Sequence, residues 1–267
     1  MSRALDNLGP HLLGRVPSEP DARNYDLGWF LSDDPLDVAL ANVLRSHFVA
    51  KSQKHFDSAV VAAIKGGPTP APPAPGPTPA PTPTDANWLE PDQPVLDQGQ
   101  TGHCVGDTGA DWENALPVGN HLAQSDADDI YYACKVIDGE PKAEDGSSIH
   151  SLAKVLVERN RLKTYAFATN IDDAWKFVQT SGPICWGIGW TDSMFTPDDT
   201  GLVVPIGPDV GGHAIIQYGT DGPFALLLNH WGTSWGVDGK FRMHKSDLAD
   251  RLANGGEAMA GVELAAA

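Results

Sequence analysis

The chain has 267 residues and a mass of 28.4 kDa, with 18 basic and 35 acidic side chains, a formal charge of −17 and a pI near 4.7. Nucleic-acid backbones and anionic membrane surfaces are bound through clustered Lys and Arg, so this balance excludes both as expected partners. No apolar run reaches the roughly 20 residues that span a bilayer, and residues 1–20 lack the apolar core of an export signal, so a cytoplasmic location is expected.

Three cysteines, Cys104, Cys134 and Cys185, leave at least one thiol free under any pairing, which argues against a disulfide-built scaffold. Residues 1–67 are nearly neutral, with seven basic and eight acidic residues. Within them Asp34-Pro35 reads as a helix start, followed by Leu36, Ala39, Leu40, Val43 and Leu44 on one face. So short an amphipathic segment must dock on something, either the larger domain or an assembly partner. Residues 68–83 hold nine prolines and no charge, an extended spacer of roughly 50 Å at about 3.1 Å per residue. Residues 84–267 carry the remaining charge, −16, and form the main domain.

In that domain the spacing predicts helices over 104–115, 127–136, 148–159 and 171–179, then strands over 184–190, 213–218, 224–228 and 240–243. Helices first and strands later predict an α+β architecture of two lobes, with a site in the cleft between them.

Three stretches carry chemistry. In Asp97-Gln98-Gly99-Gln100-Thr101-Gly102-His103-Cys104 a glycine-rich turn enters a helix at a cysteine. The helix N-terminus favours thiolate, although a lone cysteine is more often a core residue. In Gly211-Gly212-His213-Ala214 a histidine opens an alternating strand, facing either a cleft or a turn. In Asn229-His230-Trp231-Gly232-Thr233-Ser234-Trp235-Gly236 an asparagine can orient an imidazole and a tryptophan can keep water from that bond; the same pattern also suits a core-stabilising turn.

Taken together and in this order, the stretches resemble the papain-like cysteine peptidases, with Gln98 six residues before Cys104 as in that family. Ile130-Tyr131-Tyr132-Ala133, Glu144-Asp145-Gly146-Ser147-Ser148-Ile149 and Gly182-Pro183-Ile184 are similar to its next helix, its substrate-binding turn and its first barrel strand. The segment from Gly14 to Tyr25 resembles the leader of bacterial and bacteriophage members. Thr101, His103 and Val105 depart from the usual residues around the cysteine, and His230 stands where serine is usual. His213 and Asn229 follow Cys104 by 109 and 125 residues, closer than the roughly 130–150 of papain, so surface loops are expected to be trimmed.

The resemblance implies a papain-like fold, with a helical N-terminal lobe and an antiparallel, barrel-like C-terminal lobe. It also implies a thiol endopeptidase acting on peptide or protein substrates without a cofactor or metal. Cys104 would be stored as thiolate beside His213, Asn229 would orient the imidazole, and Gln98 with the Cys104 N–H would meet the carbonyl oxygen. Trp231 would shield the site and Gly146 would pair with the substrate backbone. Gly187 and Ala214 would line the pocket for the side chain preceding the scissile residue, leaving room there for an apolar group. Zinc ligation by Cys104, His103, His213 and His230 lacks paired ligand spacing. Residues 1–67 would then inhibit or dock. The rival expectation is a papain-fold binding component of a larger assembly, such as a phage particle.

Overall fold

Helices predominate in the first half of the main domain and strands in the second, with strand Leu162–Phe167 and helix Lys245–Ala253 as the exceptions. The structure, a computed structural model, describes residues 13–18, 25–31 and 85–263; the helix expected after Asp34 and the proline spacer lie outside the described residues. In chain order the elements are β1 (Tyr25–Asp26), α1 (Leu27–Leu31), β2 (Ala86–Asn87), α2 (Cys104–Asn114), α3 (Gln124–Ile137), α4 (Ile149–Glu158), β3 (Leu162–Phe167) and α5 (Ile171–Thr180). They continue with β4 (Ile184–Thr191), a short 3-10 turn (Asp192–Phe195), β5 (Asp209–Asp221), β6 (Phe224–Leu228), β7 (Lys240–His244), α6 (Lys245–Ala253) and β8 (Glu257–Glu263).

The helix starts follow from local chemistry. Ser148 caps α4 through its side chain, which accepts the Ser151 N–H, and Asn170 caps α5 by accepting the Asp173 N–H at 2.9 Å. Asp126, from the acidic run at 126–129, reaches back to the Ala123 N–H at 2.8 Å and opens α3. Helix α2 is buried along its whole length, including Asp107, Asp111 and Glu113. Gly106 and Gly109 permit this, because a Cβ at Gly106 would overlap the Ala127 carbonyl of α3, and one at Gly109 would sit 2.5 Å from Leu152 of α4. The cost appears in the carboxyls. Burial pushes Asp107 up to about 7 and Asp111 well above the carboxylate range.

The strands form one sheet in the order β1-β3-β8-β4-β5-β6-β7, antiparallel except where β1 joins β3, with β2 against β5. In β4 the residues alternate strictly. Ile184, Trp186, Ile188 and Trp190 enter one core with Trp175, Phe177 and Trp231, while Cys185 faces the other core beneath α2 and α4. The alternate positions Gly187 and Gly189 carry no side chain, and the space this leaves is taken by Arg15 and Ile149 of α4 at Gly187 and by Asp209 at Gly189.

Three of the longer elements escape the pattern reading: strand β3, which falls between two expected helices and pairs with β8, strand β8 itself and helix α6. Strand β8 is rich in small residues and forms because β3 and β4 supply partners on both sides. Helix α6 buries only Leu248 along its described face, too little to mark a periodic stripe. Strand β5 also begins at Asp209, four residues before the expected start, since Gly211 and Gly212 pair with Trp190 and Gly189 despite their poor strand propensity.

Candidate active site

Cys104 is the first residue of α2, where unsatisfied backbone N–H groups and the positive helix end converge. Its sulfur accepts backbone hydrogen bonds from Ala214, from Val105 and from Gly14 of the leader. The strand carrying His213 therefore passes directly beside the sulfur. The thiol is wholly buried, and this pushes it up to about 12, with Asp107 one turn away adding to the rise. The expected stored thiolate is thus not the state of this closed site: desolvation outweighs the helix end and the three backbone donors.

His213 and Asn229 are both fully buried, and His213 Nε2 lies 2.9 Å from Asn229 Oδ1. Trp231 stacks on the imidazole with ring centroids 4.7 Å apart, and Trp190 meets it edge-on at 4.8 Å. The Trp231 indole N–H donates to Gln98 Oε1 at 3.2 Å, and the Gln98 backbone N–H donates to the His230 carbonyl at 2.9 Å. These bonds tie the glycine-rich turn before Cys104 to the Asn229–Trp231 turn. The Gln98 amide donates to the Thr101 carbonyl at 2.7 Å, within the same turn.

Residues 13–18 occupy the cleft. Arg15 forms a parallel bridge with Ser147: the Val16 N–H donates to the Ser147 carbonyl at 2.6 Å, and the Ser147 N–H to the Gly14 carbonyl at 2.8 Å. On the opposite wall the Arg15 N–H donates to the Gly212 carbonyl at 2.9 Å. Gly14 passes through a slot that admits no side chain, because a Cβ there would overlap the Gly102 carbonyl. The pairing residue is Ser147 and not the expected Gly146. Gly146 has φ +95° and turns its own groups inward, its N–H toward Tyr131 Oη at 3.3 Å and its carbonyl toward Lys135 Nζ at 2.9 Å. A Cβ at Gly146 would overlap the Gly14 carbonyl, so its part is close approach.

The eight residues singled out from the sequence are thus linked by one chain of contacts: Gln98 to Trp231, Trp231 to His213, His213 to Asn229, Ala214 to Cys104 and Gly187, and Gly146 to Cys104 through Gly14. Gly187 pairs with Ala214 in the sheet and lies against the Arg15 side chain. The same architecture occurs in a solved structure, xylellain, a cysteine protease from Xylella fastidiosa, with a TM-score of 0.63 and 15% identity over 98% of this chain and all of that one. The fold is papain-like. A procathepsin B from Trypanosoma congolense is similar over 64% of this chain and 72% of its own, with a TM-score of 0.49 and 15% identity. No protein-family model and no curated protein sequence matches.

Other singled-out residues find structural places. His103 points away from the cleft, with Nδ1 2.8 Å from Asp128 and Nε2 2.9 Å from Glu144, and stacks on Tyr131 at 3.9 Å. It clamps α3 to the turn that carries Gly146. His230 is buried behind His213 with ring centroids 5.1 Å apart, and its Nδ1 is 3.5 Å from Asp111; burial holds it well below the usual histidine range, and neighbouring His213 adds to the lowering. Cys134 and Cys185 are buried thiols, both raised by desolvation. Sequence reasoning missed Ser147, Arg15 and Glu257. Of these Glu257 carried a signal, since Gly255-Gly256-Glu257 opens a strand behind two glycines just as Gly211-Gly212-His213 does.

Proposed function

We propose that this protein is a thiol endopeptidase whose own residues 13–18 hold the cleft shut. The observation that carries the reading is the pairing of His213 Nε2 with Asn229 while the next residue, Ala214, donates its N–H to the Cys104 sulfur. With Nε2 committed to asparagine, Nδ1 is the nitrogen that exchanges protons with the nucleophile. Leaving the cleft, the leader would readmit water and relieve the desolvation that now keeps the thiol neutral. The Cys104 thiolate then attacks a peptide carbonyl carbon, and the oxygen that gains charge meets the Cys104 N–H and the Gln98 amide. His213 passes its proton to the departing amine as the carbon–nitrogen bond breaks. A water molecule, giving a proton back to His213, next displaces the sulfur from the thioester and releases the acid.

The leader supports the shut reading through its polarity. It presents an N–H to the sulfur at Gly14, and the Gly14 carbonyl is taken up by Ser147 on the far side. At Gly14 the nucleophile thus faces an N–H and not a carbonyl carbon, which supports a segment that occupies the site without being a substrate there.

Cleavage of a peptide library by the full-length protein and by Cys104→Ala tests the reading, each with and without Gly14→Ala to unseat the leader. Cleavage that requires Cys104 and increases with Gly14→Ala is expected. No cleavage by any form, together with a Cys104 that alkylates no faster than free cysteine at pH 6 once the leader is unseated, would leave a papain-fold binding component of a larger assembly as the surviving reading.

A further inference from the structure

Arg15 fills a side-chain pocket in the sheet wall, and the pocket ends on a carboxylate. The side chain passes Gly187, where an added Cβ would lie 2.7 Å from both Arg15 Nε and Ile149 Cγ1, and then meets Glu257. Arg15 Nη2 is 2.5 Å and Nε 3.2 Å from Glu257 Oε2, and Nη2 also donates to the Gly255 carbonyl at 3.0 Å. Both side chains are withdrawn from water, at 4% and 15% exposure. The nearby acid Asp209 is already paired with Arg251 at 2.5 Å. Among the described residues Glu257 has Arg15 as its cation, and departure of the leader strips the carboxylate of its charge partner.

We propose that Glu257 makes this pocket select a basic substrate side chain, arginine before lysine, at the residue preceding the one whose carbonyl is attacked. The inference rests on the peptidase reading, and it corrects the expectation that small residues at Gly187 and Ala214 leave room for an apolar group. The glycines supply width, and the carboxylate decides what fills it. The position follows from polarity. In the leader's direction Cys104 meets an N–H; a substrate running the opposite way exchanges N–H and carbonyl positions and brings a carbonyl carbon to the sulfur. The residue in the place of Arg15 then lies one step before the scissile residue. Arginine fits better than lysine because its planar fork can meet the carboxylate and the Gly255 carbonyl together.

The test uses full-length Gly14→Ala, with Arg15→Ala as a second unseated background, each with Glu257 or Glu257→Gln. Peptides differing only at that position carry Arg, Lys, Leu, Gln or Glu. The expected kcat/KM for the Arg peptide exceeds that for Leu by at least about tenfold, the size of a charge-assisted hydrogen bond at a partly exposed site. Glu257→Gln cuts the Arg value about tenfold and moves the Leu value less than about twofold; the ratio within one variant does not depend on the fraction folded. Equal rates for Arg and Leu, or an Arg preference that survives Glu257→Gln, overturns the assignment. Binding of acetyl-arginine methylamide against acetyl-leucine methylamide, followed by NMR, requires no chemistry at Cys104. Glu257-dependent binding of the arginine amide without hydrolysis of any peptide keeps the pocket and removes the peptidase. Hydrolysis without preference does the reverse, and failure of both removes both.

Discussion

The two walls of the cleft hold the same segment by different physics. The helical wall grips backbone: Gly102 and Gly146 give Gly14 a slot with no room for a Cβ, and Ser147 pairs with Gly14 and Val16 through main-chain hydrogen bonds. The sheet wall grips a side chain: Gly187 clears a path and Glu257 closes it with charge. Backbone pairing tolerates almost any sequence, whereas a charge at the end of a narrow path does not. The helical wall therefore sets where a chain lies, and the sheet wall sets which chain is preferred.

Breaking the backbone grip should have the largest effect. Gly146→Val places a β-branched residue at φ +95° and fills the approach to the leader and to any substrate, so peptide turnover should fall by about a hundredfold or more for every substrate alike. An Arg-specific loss would contradict the assignment of Gly146 to backbone approach. Gly14→Ala is next. Overlap with the Gly102 carbonyl costs about 1–3 kcal/mol in the closed form alone, so alkylation of Cys104 should accelerate roughly tenfold to a hundredfold. An unchanged alkylation rate would show that the leader does not gate the thiol.

The pH profile sharpens the same comparison. With the closed thiol near 12, its thiolate fraction should grow about tenfold per pH unit from 6 to 9, with no plateau. Unseating the leader lessens the burial that raises the thiol, so the Gly14→Ala profile should shift toward lower pH; coincident profiles would locate the burial elsewhere. The smallest effect is expected on the sheet wall. Arg15→Gln removes the ion pair but keeps the backbone bonds, so alkylation should accelerate only about threefold to tenfold. The difference from the unaltered chain should shrink as salt is added, and a salt-independent effect would point to lost packing in place of lost charge.

Much of the site was legible because its chemistry sits in short stretches. Cys104 follows a glycine turn, His213 follows two glycines, and Asn229 precedes a Trp-Gly repeat, and the fold brings these three stretches to one cleft. Glu257 was not legible as a partner of Gly187 because 70 residues separate them and only the pairing of β8 with β4 sets them side by side. Ser147 lies next to the residue chosen for backbone pairing, and which of the two turns its groups outward was decided by Lys135 and Tyr131, which take the groups of Gly146. The neutral state of the thiol was not legible for a related reason: Gly14 and Ala214, whose N–H groups reach the buried sulfur, lie 90 and 110 residues away along the chain.

Charge, the main run of helices followed by strands, and the residue types available for nucleophile, base and orienting amide were determined by the sequence, since each depends on composition or on neighbours a few positions apart. The tertiary structure alone decided that the sulfur is covered and neutral, that the leader turns an N–H toward it, and that a carboxylate meets the Arg15 side chain beside Gly187. Each of these depends on desolvation and on register between distant strands, quantities that exist only after the chain has closed on itself.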